Sequence, residues 1–175
     1  MAKSSREQKN IDEMTILEEL QKNSKESIET IAKHCGFSRQ KVWNAIKKLE
    51  ESRMIWGYTA IVDEEKQGLQ KFMLSIKRSN RTLDKKTMDE IAYARLEKII
   101  SNLGATIESS YYIQGEYDWV LIFKAKNLKD AKKLSEIMLG AYPGIVERVN
   151  LSQILFIQRE HRIENPAQGK LNEFL

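Results

Sequence analysis

The chain has 175 residues, of which 31% are charged and 41% hydrophobic, with eight glycines and two prolines. This composition is typical of a folded protein with one large or two small domains, and it excludes collagen-like, low-complexity and disulfide-stapled classes. A single cysteine and two histidines offer no disulfide and no zinc or iron ligand cluster, so we expect neither metal nor cofactor. The polar N-terminus and the lack of a long apolar run predict a cytoplasmic protein with no membrane contact.

The positive charge is concentrated in one segment. The net charge of +4 is weak evidence for any partner, but the stretch from Ser38 to Leu49 contains only basic charges. The helix predicted before it is rich in acidic residues. This distribution indicates a negatively charged partner for one segment rather than for the whole chain.

Three helices are predicted in the first fifty residues. Apolar residues from Ile11 to Leu20 recur every three or four positions, as on one face of an amphipathic helix. Ser27 and Ser38 are placed to cap the next two helices, and Gly36 between them predicts a tight turn. The third helix is expected to run from Arg39 to about Ser52.

A strand is predicted after the third helix. Met54–Val62 is rich in strand-forming residues and predicts one or two short strands. A helix, a glycine turn, a basic helix and a strand form the pattern of a winged helix-turn-helix domain, here residues 10–62, whose second helix of the pair lies in the DNA major groove. The polar residues 63–70 are predicted to be a linker.

Residues 71–158 alternate predicted strands with predicted helices. Their order, β-α-β-β-α-β, predicts a ferredoxin-like sheet with two helices on one face, so the fold class of the chain is α+β. The tail, residues 159–175, lacks periodicity and is expected to be a mobile arm, with Phe174 and Leu175 able to dock. The predicted strands are Phe72–Lys77, Ile107–Ile113, Trp119–Lys124 and Ile145–Ile157, and the predicted helices are Met88–Leu103 and Leu128–Met138.

The basic helix has a polar outer side. Asn and Gln can form paired hydrogen bonds with adenine, so Gln40 and Asn44 are predicted to read bases. Lysines suit phosphates, and Arg39 can reach a guanine or the DNA backbone. A solvated face without a partner is the alternative, and Trp43 is expected to pack against the first helix or the wing. The predicted DNA-binding residues are Ser38, Arg39, Gln40, Lys41, Asn44, Lys47 and Lys48.

Four stretches resemble the Lrp/AsnC family, also called feast/famine regulatory proteins. They are Ile11–Leu20, Ile31–Leu49, Ile55–Ala60 (IWGYTA) and Gly115–Asp118 (GEYD). The resemblance spans about residues 10–158 and implies a prokaryotic transcription regulator that binds double-stranded DNA and dimerises through its sheet domain. Such proteins often assemble further and often respond to an amino acid. The resemblance places the effector between subunits beside Gly115, Tyr117 and Asp118.

The turn at Gly115–Asp118 has two interpretations. Its backbone N–H groups can hold the carboxylate of an amino acid while Asp118 pairs with the ammonium. Alternatively it is a plain hairpin turn, in which Gly115 supplies a positive φ and Asp118 bonds to nearby backbone. The chain also departs from the family at Arg53 and Ala45, where glycine and a basic residue are usual, and in an enlarged segment 77–104.

The sheet domain is predicted to form the dimer. Phe72, Leu74 and Ile76 alternate with Met73, and one helix layer cannot cover both sets, so a partner sheet is expected on the uncovered face. Two-fold symmetry then predicts a pseudo-palindromic operator.

Two rival functions fit parts of this pattern. Sirohaem decarboxylases resemble this two-domain architecture, but they use histidines in the sheet domain, and the strand Glu108–Gln114 has none. His161 comes only after the last strand, so we expect no enzyme activity. An amino-acid sensor or protein adaptor without DNA binding is the other rival, and the intact polar face of the basic helix argues against it.

Overall fold

The structure is a computed structural model that describes residues 5–92, 100 and 103–175. These residues form two compact units. One comprises the described residues up to Ile61 together with Gln158–Gly169, and the other comprises those of Val62–Ile157 together with Lys170–Leu175. Within the described ranges, no helix is both long and apolar enough to cross a membrane.

The first unit contains the three predicted helices, α1 (Ser5–Lys22), α2 (Ile28–Cys35) and α3 (Arg39–Glu51). Both predicted caps are present, because the Thr30 N–H donates to Ser27 Oγ at 3.0 Å and the Lys41 N–H donates to Ser38 Oγ at 3.2 Å. Gly36 ends α2 in the left-handed conformation, with φ of 68°, where a side chain is disfavoured. Local sequence alone therefore sets the bounds of α2 and the start of α3.

The core of this unit comes from the apolar faces of α1, α2 and α3. Residues three, four or seven positions apart lie on one side of each helix, and these are the residues that the structure buries. Phe37 and Ile55 pack on the edge of this core. The buried members are Ile16, Leu20, Ile31, Ala32, Val42 and Ala45.

The predicted strand at 54–62 is wrong. The structure assigns no strand to these residues, and Trp56 is 96% exposed. The segment is held at its start, where the N–H groups of Met54 and Ile55 both donate to the Leu49 carbonyl, and at Tyr58, whose hydroxyl donates to Glu50 Oε1 at 2.9 Å. Strand propensity reflects packing on a pleated, half-buried surface. Among the described residues no strand pairs with this segment, so Trp56, Tyr58 and Val62 remain exposed, while Ile55 packs on the helical core.

The second unit has the predicted βαββαβ order. The elements are β1 (Gln70–Arg78), α4 (Lys85–Ala92), β2 (Thr106–Tyr112), β3 (Trp119–Ala125), α5 (Leu128–Ala141) and β4 (Val146–Ile154). The strands form a four-stranded antiparallel sheet in the order β2-β3-β1-β4, and helices follow β1 and β3. Of the predicted helix Met88–Leu103, the structure describes α4 and the helical Ile100, while 93–99, 101 and 102 lie outside the described residues.

One face of the sheet packs on α5. Phe72 lies opposite Phe123, with ring centroids 5.5 Å apart, and Leu74 lies opposite Leu121 and Leu151. Alternate strand positions thus form the inner face, as the period of two predicts. The α5 residues buried against it are Ala131, Leu134 and Met138.

The segment predicted as a linker is held against the sheet by charge. Residues 65–67 form a 3-10 helix, and Glu64 beside them is buried. Lys71 Nζ, whose side chain is only 4% exposed, lies 3.1 Å from Glu64 Oε1 and 2.8 Å from Glu108 Oε2. Lys124 Nζ lies 2.6 Å from Glu108 Oε1. We call Glu64, Lys71, Glu108 and Lys124 the ionic cluster; it fixes 63–70 to the strands, so these residues are not a free linker.

The burial of this cluster disfavours the charged form of its carboxyl groups. It favours the neutral form of Glu108, but the bonds from Lys124 and Lys71 outweigh that effect and hold the pKa of this carboxyl below its usual value. The two lysines and the two glutamates thus neutralise one another's charge at a position where little water can solvate them.

The tail is structured rather than a free arm. Two short strands, β5 (Arg159–Glu160) and β6 (Ile163–Glu164), form a hairpin, and Gln168–Glu173 form a 3-10 helix. The Phe174 ring lies 6.0 Å from the Phe156 ring, while Leu175 is exposed. A two-residue strand has too few positions to show a period of two, which is why periodicity missed this hairpin.

Candidate functional site

The outward side of α3 has Gln40 and Asn44 at its centre. They lie one helical turn apart, both are exposed, and Gln40 Nε2 donates to Asn44 Oδ1 at 3.2 Å. This bond holds two amides side by side in the orientation in which either can offer a donor and an acceptor to a base edge.

Lys41 and Lys48 lie on the flank of α3 that faces α1. They are seven residues apart and therefore share one stripe of the helix. Lys41 Nζ lies 2.6 Å from Asp12 Oδ2 and 3.7 Å from the centroid of the Phe37 ring, and Lys48 Nζ lies 2.6 Å from Glu13 Oε1. The bond from Lys41 holds the pKa of Asp12 below its usual value. Both lysines therefore tie α3 to α1.

Arg39 and Lys47 keep their charge available on the outer side. The Arg39 side chain is exposed, and the ion pairs that the described residues of α3 form involve Lys41, Lys47 and Lys48 rather than Arg39. Among the described residues, the acid nearest to the Lys47 ammonium is Glu51, at a long 3.7 Å on the same helix. Such an exposed pair is weak and screened by salt. Ser38 lies at the N-terminus of α3, where its hydroxyl oxygen is occupied by the cap.

Trp43 does not pack as predicted. The side chain is 48% exposed, and it belongs neither to the buried core of the first unit nor to the apolar residues packed against that core. Its described contact is with Lys47, whose Nζ lies 5.5 Å from the ring centroid. Since no strand forms at 54–62, the strand on which the indole was expected to pack is absent from that segment.

The turn at Gly115–Asp118 uses Asp118 structurally. The Arg78 N–H donates to Asp118 Oδ2 at 2.8 Å, and Lys77 Nζ lies 3.4 Å from the same oxygen. The backbone N–H bond, followed by the charge of Lys77, holds the pKa of Asp118 below its usual value despite partial burial. The Asp118 N–H also donates to the Ile76 carbonyl at 3.0 Å. The bond from Asp118 to nearby backbone is the one that the plain-turn interpretation expects.

The remaining residues of this turn have free space at Gly115 and backbone N–H groups that are available to a ligand. Gly115 is outside the positive-φ region, so the conformational reason expected for this glycine is wrong, and no atom lies within 4 Å of the position that a Cβ would occupy. Among the described residues, the backbone N–H groups of Gly115, Glu116 and Tyr117 have no hydrogen-bond acceptor. Arg148 lies beside them, bonded to Glu116 at 3.1 Å and 5.4 Å from the Tyr117 ring.

Comparison with known proteins agrees with this arrangement. Residues 13–55 match the family of winged helix-turn-helix DNA-binding domains. An HTH-type transcriptional regulator of Pyrococcus horikoshii is 30% identical over 146 residues, covering 83% of this chain and 90% of the relative. The leucine-responsive regulatory protein of Haemophilus influenzae is 26% identical, covering 76% of each chain. The chain belongs to the Lrp/AsnC family of transcription regulators. It is therefore a DNA-binding transcription regulator, as the sequence predicts.

Solved Lrp/AsnC structures have the same fold. A feast or famine regulatory protein of M. tuberculosis, complexed with L-methionine, superposes with a TM-score of 0.68 at 24% identity, covering 89% of this chain and 97% of that one. An AsnC family regulator of Agrobacterium tumefaciens gives 0.64 at 19% identity, covering 85% and 92%. The α+β fold with an N-terminal helix-turn-helix domain is thereby confirmed.

Two departures from the Lrp/AsnC pattern have structural explanations. Arg53, two residues beyond the end of α3, has φ of 57°, the left-handed conformation that the usual glycine adopts without strain. Ala45 is buried, so a long basic side chain at this position would have to leave the core.

Asp12 and Glu13 were missed as part of the site by sequence reasoning. Their acidic charge is visible in the sequence, but their pairing with Lys41 and Lys48 depends on how α1 packs on α3.

Proposed function

We propose that this regulator binds its operator with the outer side of α3, where Gln40 and Asn44 read bases and Arg39 and Lys47 bind phosphates. The observation that carries this proposal is the division of charge on α3. Lys41 and Lys48 are paired with acids of α1, whereas the side chains at the centre of the outer side are exposed and have no acid of α1 bound to them. The centre can therefore enter a groove without first breaking an ion pair to α1.

Ser38, Lys41 and Lys48 have a positioning role in this proposal. Ser38 fixes the first turn of α3, and the lysines fix its orientation against α1 through Asp12 and Glu13. Base reading depends on a helix held at one angle, because an amide must meet the donor and acceptor of a base together. The paired lysines thus support reading without supplying phosphate contacts.

A salt titration tests this division. Binding of the full-length protein to a selected genomic duplex is measured by fluorescence anisotropy at several salt concentrations. Lys47→Ala is expected to flatten the slope of log K against log salt by about 0.9 for each phosphate that the variant no longer neutralises. Lys48→Ala is the matched control, because it removes the same charge from a lysine whose ammonium is already paired, and it should leave the slope nearly unchanged. Equal slopes for the two variants contradict the division.

A homodimer built through the sheet is the second part of the proposal. Beside the inner residues, β1 and β3 carry Met73 and Ile122, which lie opposite each other in register and are only partly buried. A partner sheet can cover this pair. The full chain should sediment as a dimer or larger species at micromolar concentration, and a stable monomer contradicts this part. Two-fold symmetry then implies half-sites about one helical turn apart, or a multiple of it.

Response to an amino acid is the third part, supported by the open N–H groups of Gly115, Glu116 and Tyr117. Adjacent backbone donors can hold a carboxylate. Among the relatives, one is named leucine-responsive and one solved structure contains L-methionine. Because Asp118 already accepts the Arg78 N–H, the ammonium group of an amino acid would have to compete for this side chain. The turn therefore has more free partners for the carboxylate of the ligand than for its ammonium.

Leucine and methionine are therefore the first ligands to test. A ligand that binds only the folded protein stabilises it by about 2.7 kcal/mol at a hundredfold excess over Kd, which a thermal-shift assay detects. Asp118→Asn should retain part of the shift, since the turn amides remain. If neither amino acid shifts the melting temperature at millimolar concentration, these two are not the effectors. The expected lack of enzyme activity also stays a prediction, although the relatives named above are transcription regulators.

A further inference from the structure

Trp43 is a large apolar side chain in a polar setting. Trp43 follows the buried Val42 directly and so lies about 100° around α3 from the core. The indole is 48% exposed and outside the apolar core of its unit. The exposed half of the indole gains nothing from folding, because the hydrophobic effect acts only on the area removed from water.

The neighbours of Trp43 are the proposed DNA contacts. Gln40 precedes it by three residues and Lys47 follows it by four, so both lie beside it on the helix surface, and Asn44 is the next residue. Lys47 Nζ lies 5.5 Å from the ring centroid, within the range of a cation–π contact. This contact places the Lys47 ammonium, which is suited to a phosphate, beside the flat apolar surface of the Trp43 indole.

The major groove offers a matching apolar group. Thymine carries a C5-methyl group in this groove, and apolar side chains on a recognition helix contact it. Cytosine has a hydrogen at the same place. A side chain that covers this methyl group distinguishes the two pyrimidines without a hydrogen bond.

We propose that Trp43 is a specificity-determining residue that packs its indole on a thymine methyl group of the operator. The inference rests on the proposed entry of α3 into the major groove and adds a class of contact that Gln40 and Asn44 do not make. It assigns each half-site a thymine beside the bases that those amides read.

The test removes single methyl groups from the DNA. A preferred duplex is first selected from a random pool with the full-length protein, and each thymine is then replaced in turn by deoxyuridine, which lacks only the methyl group. For the unaltered protein we expect about fourfold weaker binding at one thymine per half-site, the effect of burying one methyl group. Trp43→Ala should bind the unmodified duplex more weakly and should be insensitive to deoxyuridine at that position.

Trp56→Ala is the matched control. It removes another exposed indole, 96% accessible and outside α3, and it should keep the full sensitivity to the methyl group. Trp43→Phe, which retains an aromatic plate, should keep part of it and guards against a folding effect of the alanine variant. Thermal unfolding of each variant checks that the fold is retained.

The outcomes separate the two proposals. Selection of a sequence without sensitivity at any thymine overturns the role of Trp43 and leaves base reading by α3 intact. The role of Trp43 is also overturned if Trp43→Ala shows the same deoxyuridine pattern as the unaltered protein, because the methyl contact is then made by another side chain. Failure of the unaltered protein to select any sequence overturns both.

Discussion

The outer side of α3 and the turn at Gly115–Asp118 are both rich in polar groups, but they use them differently. On α3 the backbone bonds are made within the helix, so the amides of Gln40 and Asn44 remain exposed. In the turn the Asp118 side chain accepts the Arg78 N–H, and the backbone N–H groups of the preceding residues are the open donors. The outer side of α3 thus presents side chains to a ligand, whereas the turn presents backbone N–H groups.

This contrast follows from the local geometry of each element. A helix satisfies its own interior N–H and C=O groups and leaves side chains for recognition. A hairpin turn leaves part of its backbone unpaired, and Asp is one of the residues that bond to that backbone. A side chain of suitable chemistry is thus a strong indication of a binding role on a helix and a weak one in a turn.

The largest expected effect comes from removing an amide of α3. Asn44→Ala should cost about 1 to 3 kcal/mol of binding free energy per half-site, because alanine cannot form the paired hydrogen bonds to a base. The effect should be specific, so affinity for random DNA should change little. Equal weakening on selected and random duplexes, measured by anisotropy at one salt concentration, would remove Asn44 from base reading.

Removing the Asp118 side chain from the turn at Gly115–Asp118 should lower the stability of the folded protein. Asp118→Ala leaves the Arg78 N–H without its acceptor, and we expect a loss of about 1 to 3 kcal/mol in the free energy of unfolding. Glu116→Ala is the control in the same turn, since its pair with Arg148 is exposed on both sides and should contribute at most about 1 kcal/mol. Urea denaturation of both variants measures the difference. A smaller loss for Asp118→Ala than for Glu116→Ala contradicts the structural role of Asp118.

The smallest effect is expected on the flank of α3, and it depends on pH. The pKa of Asp12 is lower in the folded protein than its ordinary value of 3.8, mainly through the bond from Lys41. Stability from this pair is therefore present above pH 3.8 and is lost as the pH falls through the lower folded value. Asp12→Asn should be less stable than the unaltered protein at neutral pH, and the difference should shrink in acid. A constant difference across this range, measured by thermal melting, excludes the ion pair as its cause.

Sequence reasoning succeeded where the structure depends on local signals. The caps at Ser27 and Ser38, the turn at Gly36 and the apolar stripe of α1 each involve residues within a few positions of one another. The βαββαβ order followed from changes in hydrophobic period in the same way.

The sequence is least informative where a distant partner decides the outcome. Met54–Val62 has strand-forming residues but pairs with no strand among those described, and Lys41 and Lys48 meet acids of α1 about thirty residues away. The ionic cluster joins Glu64 to Lys124, sixty residues along the chain, in the same way. Composition cannot tell a paired lysine from a free one, because pairing depends on how helices cross.

The lysine stripe of α3 has a consequence for engineering. Since Lys41 and Lys48 are matched to Asp12 and Glu13, the recognition helix and α1 form one interlocking module, and α3 grafted alone onto another scaffold loses the acids that set its angle. Gln40 and Asn44, at the centre of the outer side, form no such ion pair with α1. New operator preferences can therefore be sought by varying Gln40 and Asn44 while both lysines and both acids are retained.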